Sequence, residues 1–215
     1  MITQQLTLWK GKSTIATVRY AIIFDLSEVL ISGLQGVENI LATELSCSRE
    51  KILPSLGGRL LHDLCCDHIN EEYYLSNVIA NEGWKITPDQ LKNFIRLNFH
   101  QCVSGMEEIL IKLEAQHDLF LLSDHAREWI SYIKGVHPFL DIFKEQYYSF
   151  DLKQLKKEPS TFTIILRKIR YNSKDCIFID DNKINIDSSK LSGITGIHFH
   201  NAEQLWDELR RIGLL

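Results

Sequence analysis

The chain has 215 residues, of which 45% are hydrophobic and 24% are charged, and its formal net charge is −4 at pH 7. These values are ordinary for a globular protein with one domain, or with one domain and a modest insertion. The slightly acidic balance gives no electrostatic reason to expect nucleic acid or an anionic membrane as a partner, and no apolar run approaches the roughly 20 residues of a membrane span.

Residues 1–19 carry no pattern that assigns them to one element. Leu6, Leu8 and Ile15 lie around a turn-like Lys-Gly-Lys sequence, which would suit either a hairpin or an ordered tail. No apolar run long enough for a signal peptide follows the basic residues of this region. The five cysteines are an odd number without the spacing of a disulfide framework, which is typical of a reducing compartment. We therefore expect a cytoplasmic protein.

Short apolar runs along the chain predict buried strands, because strands covered on both faces lose the alternating pattern. Four runs of this kind occur, at 20–25, 119–123, 176–180 and 196–200. Helical stretches follow or precede them, at 105–116, 125–134, 159–171 and 183–192, and Asn201 with Gln204 has capping-box spacing ahead of a last helix. The alternation predicts an α/β fold with a doubly wound parallel sheet.

The segment from about 35 to 102 shows helical periodicity and no convincing strand. Its candidate helices cover 36–46, 48–54, 58–79 and 88–102, the last with a strong start at Thr87-Pro88-Asp89-Gln90. A block of several helices is too long for a simple crossover between strands. We therefore expect a small all-α cap at 35–102, inserted after the first strand of a core made of 1–34 and 103–215, with 1–19 as an N-terminal extension.

Polar side chains follow several of the predicted strands. Asp25, Ser123 and the pair Asp180-Asp181 end three of them, and Lys156 precedes the helix before the third. In an open parallel sheet, ligands bind outside the carboxyl ends of the strands. A carboxylate nucleophile, a hydroxyl, an ammonium and an acid pair that could hold Mg²⁺ together suit phosphoryl transfer.

Four segments in the right order resemble the motifs of the haloacid dehalogenase (HAD) superfamily. The first motif is usually Asp-x-Asp followed by Gly, the second a strand ending in Ser or Thr, the third Lys-Pro-Asp-Pro and the fourth an acid pair. The matching segments are Phe24–Leu30, Leu121–Asp124, Lys156–Pro159 and Ile179–Asn182. The resemblance covers roughly residues 20–212 and implies a Rossmann-like HAD core with an inserted helical cap.

That resemblance implies a role for each motif residue. Asp25 would be the nucleophile and, through its other oxygen, a ligand of Mg²⁺. The main-chain carbonyl of Ser27 would be a second Mg²⁺ ligand. Asp180 and Asp181 would complete the protein's share of the ligands.

The same resemblance assigns the phosphoryl group of a small phosphorylated substrate to Ser123, with Asp124 beside it, and to Lys156. Either Lys156 or Lys157 could fill the third motif. We prefer Lys156, because Pro159 then falls on the second proline of the pattern. We expect no nucleic-acid or membrane partner and a monomer or weak homodimer.

The first motif departs from the family at one place, because Ser27 stands where the second acid usually lies. In HAD phosphatases that acid protonates the leaving alcohol and then activates water, and general acid–base help is typically worth ~10²–10⁴-fold in rate. The serine hydroxyl cannot replace it, and we expect Glu28, displaced by one residue, to point elsewhere. Attack by Asp25 does not need the acid, so we expect an attenuated hydrolase.

Three functions therefore remain open. The first is a Mg²⁺-dependent HAD hydrolase or phosphotransferase, and the second is a non-catalytic HAD scaffold that binds a phosphorylated ligand or a protein partner. The third is a 2-haloacid dehalogenase, whose chemistry also lacks the second acid but needs no Mg²⁺ and leaves the acid pair unexplained. Dehalogenases usually have Tyr at the position of Ser27.

Two further features allow a structural or a functional interpretation. A set of metal-type ligands on one predicted helix invites a zinc hypothesis, although adjacent cysteines point in different directions and buried free cysteines are common in cores. Its members are His62, Cys65, Cys66 and His68. His125 and Arg127 follow the second motif closely enough to reach a substrate, or to lie on a helix surface.

Overall fold

A single all-parallel sheet of five strands forms the centre of the protein in the computed structural model, which describes residues 19–215. The possible hairpin or tail before Arg19 lies outside the described residues. The strands have the order β3-β2-β1-β4-β5. They are β1 (Ala21–Phe24), β2 (Asp118–Ser123), β3 (Glu145–Tyr148), β4 (Cys176–Asp180) and β5 (Thr195–His198).

The strand β3 was missed by the sequence analysis, which predicted four strands. It consists of Glu145-Gln146-Tyr147-Tyr148 and lies at the edge of the sheet, where it pairs with β2 alone. An edge strand is not covered as a central strand is, so it does not need the apolar run by which the other strands were predicted. Tyr148 is buried, whereas Glu145 is exposed.

Five helices occupy residues 37–99, where the periodicity predicted four, and no strand occurs among the described residues of this range. They are α1 (Val37–Leu45), α2 (Arg49–Leu56), α3 (Gly58–Cys65), α4 (Glu71–Glu82) and α5 (Pro88–Phe99). We call this segment the helical insertion. Its buried apolar residues belong to the same hydrophobic cluster as one face of the sheet. That it is a separate cap domain stays a prediction.

The predicted helix at 58–79 is wrong, because two helices with a turn between them occupy this stretch. Asp67 has a φ of 58°, in the left-handed region that a right-handed helix cannot pass through. The next helix then starts at Asn70, whose side chain accepts a hydrogen bond from the backbone N–H of Tyr73 at 2.9 Å. The capping box predicted for Thr87 and Gln90 is present in full.

The remaining helices cover both faces of the sheet, which confirms the doubly wound α/β class. They are α6 (Met106–Glu114), α7 (Arg127–Val136), α8 (Ser149–Leu152), α9 (Pro159–Ile169), α10 (Lys183–Leu191) and α11 (Ala202–Arg211). Along β1, Ile22 and Phe24 face one core and Ala21 and Ile23 face the other. No helix from residue 19 onward is long and apolar enough to cross a bilayer.

Candidate functional site

The carboxyl ends of the three central strands bring the predicted acids and hydroxyl to one edge of the sheet. Phe24, the last residue of β1, pairs with Leu121 of β2 on one side and with Ile179 of β4 on the other. The backbone N–H of Asp25 then donates to the carbonyl of Ile179 at 2.9 Å. Since Asp180 is the residue after Ile179, parallel pairing places the two aspartates side by side.

Lys156 lies between these two aspartates. Its Nζ is 2.6 Å from Asp25 Oδ1 and 2.7 Å from Asp180 Oδ2, and the residue is 2% exposed. Its backbone N–H donates to both carboxylate oxygens of Asp124, at 3.0 and 3.1 Å. The neighbouring Lys157 is exposed. The structure therefore brings Lys156, rather than Lys157, to the acids, with Asp124 fixing the loop that carries it.

Burial and charge act against each other in this cluster. Burial raises the pKa of Asp25 well above its usual range, and Lys156 offsets only part of that rise. Burial alone would lower the pKa of Lys156, but the carboxylates of Asp180 and Asp25 outweigh it and raise that pKa above its ordinary value. Burial likewise raises the pKa of Asp124 to about 6. The ammonium therefore stays charged, and the negative charges around it are under-compensated.

Asp25, Asp180 and Asp181 each offer a carboxylate oxygen within 4.8 Å of the others. An oxygen-only donor set suits a hard divalent cation such as Mg²⁺. Asn185, whose role the sequence analysis did not predict, donates its side-chain N–H to both oxygens of Asp180 at 3.1 Å. The residues present thus fit the ion that the sequence resemblance implies.

The two oxygens of Asp25 differ in their surroundings. Oδ1 accepts hydrogen bonds from the backbone N–H of Leu26 at 2.7 Å and from Lys156. Oδ2 has no hydrogen-bond partner within the part of the chain that the structure describes. One oxygen is therefore held and the other is left for a ligand or for nucleophilic attack.

Glu28 points away from the aspartates, as expected. Its backbone adopts a φ of 62°, and its Oε1 accepts hydrogen bonds from the backbone N–H groups of Gly33 at 2.8 Å and Gln35 at 3.1 Å. Gly33 has no room for a side chain, since an added Cβ would lie 2.7 Å from the Cβ of Ser27. The carboxylate of Glu28 therefore stabilises this loop and does not take the position of the missing acid.

Ser27, the residue that replaces that acid, contacts a buried histidine instead. Its Oγ lies 3.2 Å from Nε2 of His125. The imidazole packs against Phe99 of the insertion and Trp129 of α7. Burial, and then the charge of Lys156, lowers the pKa of His125 to about 3, so the ring is neutral near pH 7. The sequence analysis did not predict this contact, because the two residues are 98 positions apart in the chain.

Two buried polar atoms close to the aspartates lack a partner in residues 19–215. They are the Oγ of Ser123, which is fully buried, and the Nδ1 of His125. A buried hydroxyl without a hydrogen bond costs about 1–3 kcal/mol. An oxygen-rich ligand at the end of β2 would satisfy Ser123, as the predicted phosphoryl group would.

A cavity of about 230 Å³ opens beside this cluster. Leu61 and Phe99 of the helical insertion are among its apolar lining, and its polar lining consists of Ser27, Glu28, Gln35, Asp124 and His125. Asp25 is 5% exposed and is not among the residues that line the cavity. A larger apolar cavity, of about 610 Å³, lies near Met106 and Phe139 and includes none of the predicted site residues.

Comparison with known proteins places this arrangement in a family. The family model for haloacid dehalogenase-like hydrolases matches residues 22–199. No curated protein matches the sequence.

Solved structures show the same fold. The HAD family enzyme BT-2542 from Bacteroides thetaiotaomicron, solved with magnesium and inorganic phosphate, is 21% identical with a TM-score of 0.71, over 89% of this chain and 98% of that one. A predicted HAD-like hydrolase from Porphyromonas gingivalis is 18% identical with a TM-score of 0.73, over 91% and 98%. A dehalogenase is 15% identical with a TM-score of 0.71, over 91% and 98%.

Proposed function

Because the chain belongs to the haloacid dehalogenase-like hydrolase family, we propose that it is a Mg²⁺-dependent phosphatase or phosphotransferase. Its substrate would be a small phosphorylated metabolite, and the reaction would pass through an aspartyl-phosphate on Asp25. The observation that carries the proposal is the group of the buried Asp25 and Asp180 and the half-buried Asp181 around the ammonium of Lys156. Three carboxylates and one ammonium leave a deficit of positive charge that a divalent cation would fill.

The roles of the chain's own residues follow from their positions. Asp25 attacks phosphorus through Oδ2, while Lys156 and the N–H of Leu26 hold Oδ1 and fix the direction of the carboxylate. Ser123 donates its unpaired hydroxyl to a phosphoryl oxygen, and Lys156 neutralises charge on the same group. Asp124 keeps the Lys156 backbone in place.

Mg²⁺ would be held by Asp25, by the backbone carbonyl of Ser27 and by Asp181 together with Asp180. When bound, the ion supplies Lewis-acid stabilisation of the phosphoryl oxygens and weakens repulsion between the substrate and the carboxylates.

Among residues 19–215, the site has no residue placed to donate a proton to the leaving group. Ser27 is not an acid near neutral pH, Glu28 is held by Gly33 and Gln35, and the imidazole of His125 is neutral. We therefore expect the wild type to favour substrates whose leaving group departs as an anion, such as acyl or aryl phosphates. Hydrolysis of the aspartyl-phosphate would be slow, which leaves time for transfer to another acceptor.

The helical insertion would act as a cap over this site. The cavity beside Ser27 takes Leu61 from α3 and Phe99 from α5, so side chains of the insertion contact whatever the cavity holds. The small volume of the cavity favours a small substrate. Closure of the helical insertion over Asp25 would exclude water.

The test is hydrolysis of a series of aryl phosphates of decreasing leaving-group acidity, with Mg²⁺. Wild type, Asp25→Asn, Ser27→Asp and Ser27→Asn are compared. We expect a rate in the wild type that falls steeply along the series, no activity in Asp25→Asn, and a shallower dependence in Ser27→Asp. Gains of up to ~10²-fold on the poorest leaving groups would match restored general acid catalysis.

Ser27→Asn is the matched control, because asparagine has the shape of aspartate but transfers no proton. Activity that survives in Asp25→Asn would rule out the aspartyl mechanism. If all four proteins are folded and none hydrolyses any aryl phosphate, the catalytic proposal is wrong.

A non-catalytic scaffold is the second candidate, and the absence of the acid together with the enclosed Asp25 favours it. Beryllium fluoride with Mg²⁺ should raise the melting temperature if phosphoryl-like ligands bind, with or without turnover. A 2-haloacid dehalogenase is the third candidate and predicts chloride release without Mg²⁺. The group formed by Asp180 and Asp181 counts against it, since that chemistry needs no metal.

A further inference from the structure

A second group of metal-type ligands lies at the C-terminal end of α3, apart from the aspartates. The Nδ1 of His62 is 3.1 Å from Oδ1 of Asp63, and the Nδ1 of His68 is 3.4 Å from the same oxygen. All three ligand atoms lie within 4.8 Å of one another. His68 reaches this place because its backbone N–H donates to the carbonyl of Asp63 at 2.8 Å, across the turn at Asp67.

These separations have the scale of a metal coordination shell. Zinc binds imidazole nitrogen and carboxylate oxygen at about 2.0–2.2 Å, so neighbouring ligand atoms in a tetrahedral site lie about 3.3–3.5 Å apart. Imidazole nitrogens with a carboxylate also favour a borderline transition ion over Mg²⁺. The distance from Asp63 to His68, 3.4 Å, falls within this range, and the distance to His62, 3.1 Å, is slightly shorter.

The remaining side-chain polar atoms of Asp63 and His62 already have neighbours within the protein. Arg59 Nε donates to Oδ2 of Asp63 at 2.7 Å, which leaves Oδ1 toward the histidines. The Nε2 of His62 lies 4.0 Å from Sγ of the buried Cys66, and its Nδ1 lies on the side of Asp63. Outer contacts of this kind orient the ligands of metal sites. The end of a helix also favours a cation, because its carbonyls carry partial negative charge.

We propose that His62, Asp63 and His68 form a Zn²⁺ site, with the fourth position open to water. The ligand set differs from the one that sequence spacing suggested, since Asp63 takes part and Cys65 lines the cavity beside Ser27 instead. The side chains are 29%, 17% and 49% exposed, so an ion can reach them from solvent.

Metal binding here would fix the part of the helical insertion that lines the cavity beside Ser27. Leu61 and Cys65, on the same helix, line that cavity. Asp67, in the turn before His68, forms ion pairs with Arg127 and Lys153 of the core. A bound ion would therefore join α3 to this turn and stiffen the contact between insertion and core.

The test is calorimetric titration of the metal-free full chain with Zn²⁺ in millimolar Mg²⁺, which keeps the aspartate site filled. Wild type is compared with His62→Ala, His68→Ala, and His200→Ala as an exposed histidine control. We expect one Zn²⁺ equivalent in the wild type and the control, and an affinity at least about tenfold lower in the other two variants. Asp181→Asn should bind Zn²⁺ as the wild type does.

Co²⁺ provides a second readout, since a tetrahedral site with nitrogen ligands gives intense visible absorption that His68→Ala should lose. His68 is the most exposed of the three ligands, so its variant decides the question if His62→Ala does not fold. Zn²⁺ affinity in His68→Ala equal to that of the wild type would overturn the proposal. Loss of binding in Asp181→Asn alone would assign the ion to the aspartates and overturn it as well.

Discussion

Two clusters of acidic and basic side chains in this protein differ in their balance of charge. At the strand ends, Asp25, Asp180 and Asp181 surround one ammonium, that of Lys156. Between the helical insertion and α7, Glu71 alone faces the ammonium of Lys92 and the guanidinium of Arg96, and also accepts from the indole of Trp129.

This difference in charge balance distinguishes a ligand-binding site, formed by the aspartates, from a purely structural contact, formed by Glu71. Glu71 is 4% exposed, and its two partners carry more positive charge than its one carboxylate balances, so no cation is missing there. The aspartates at the strand ends are short of positive charge, because within residues 19–215 only Lys156 forms ion pairs with them. Charge deficit, rather than burial or the number of ion pairs, therefore marks the place where a ligand belongs.

The largest expected effect comes from removing the cation at the deficient cluster. Lys156→Met should lower the free energy of unfolding by about 3–5 kcal/mol, because it leaves buried carboxylates without their partner. Urea unfolding measures this, with the exposed neighbour Lys157→Met as the control. Part of the loss should return on addition of Mg²⁺. A loss equal to that of the control would contradict the assigned role of the ammonium.

The loss should also depend on pH. Without the ammonium, the pKa of Asp25 in the folded state rises further above its unfolded value, so the folded state holds more protons than the unfolded state. Stability then falls as the pH rises above the unfolded pKa. We expect Lys156→Met to be closer to the wild type at about pH 5 than at about pH 8.

Substitution in the Glu71 cluster should lower the stability less, and Mg²⁺ should not change the loss. Glu71→Gln removes one charge and leaves two cations whose side chains are 32% and 24% exposed and can still be hydrated. We expect a loss of about 1–3 kcal/mol in the free energy of unfolding. The exposed neighbour Glu72→Gln should be near neutral. If Mg²⁺ restored the stability of Glu71→Gln, the two clusters would not differ in their need for a cation.

How far each cluster could be predicted from sequence follows from how it is built. Asp25, Ser123 and Asp180 end apolar strands, and parallel pairing takes such residues to one edge of the sheet. Their proximity was therefore predictable. The pairing of Glu71 with Trp129 joins residues 58 positions apart on two helices, and no periodic pattern specifies which helix faces meet.

The same limit explains what was missed near the candidate site. The contact of Ser27 with His125 depends on how β2 and the following helix pack, which one chain does not reveal. The turn at Asp67 depends on a left-handed residue that is not glycine, so the usual marker of a helix end is absent. The edge strand β3 has too few apolar residues to be distinguished from a loop.

The smallest expected change in stability is also the sharpest test of the charge argument. Asp181→Asn removes one of the three competing carboxylates, so the metal-free protein should be equally stable or up to about 1 kcal/mol more stable than the wild type. Burial, and then the charge of Asp180, raises the pKa of Asp181, which is the sign of unfavourable charge that the substitution would relieve. The same variant should lose most of the stabilisation that Mg²⁺ gives to the wild type. Asp187→Asn, an exposed aspartate on α10, should leave both quantities unchanged. Destabilisation of metal-free Asp181→Asn would mean that this carboxylate supports the fold, and the deficit of positive charge would then no longer indicate a metal site.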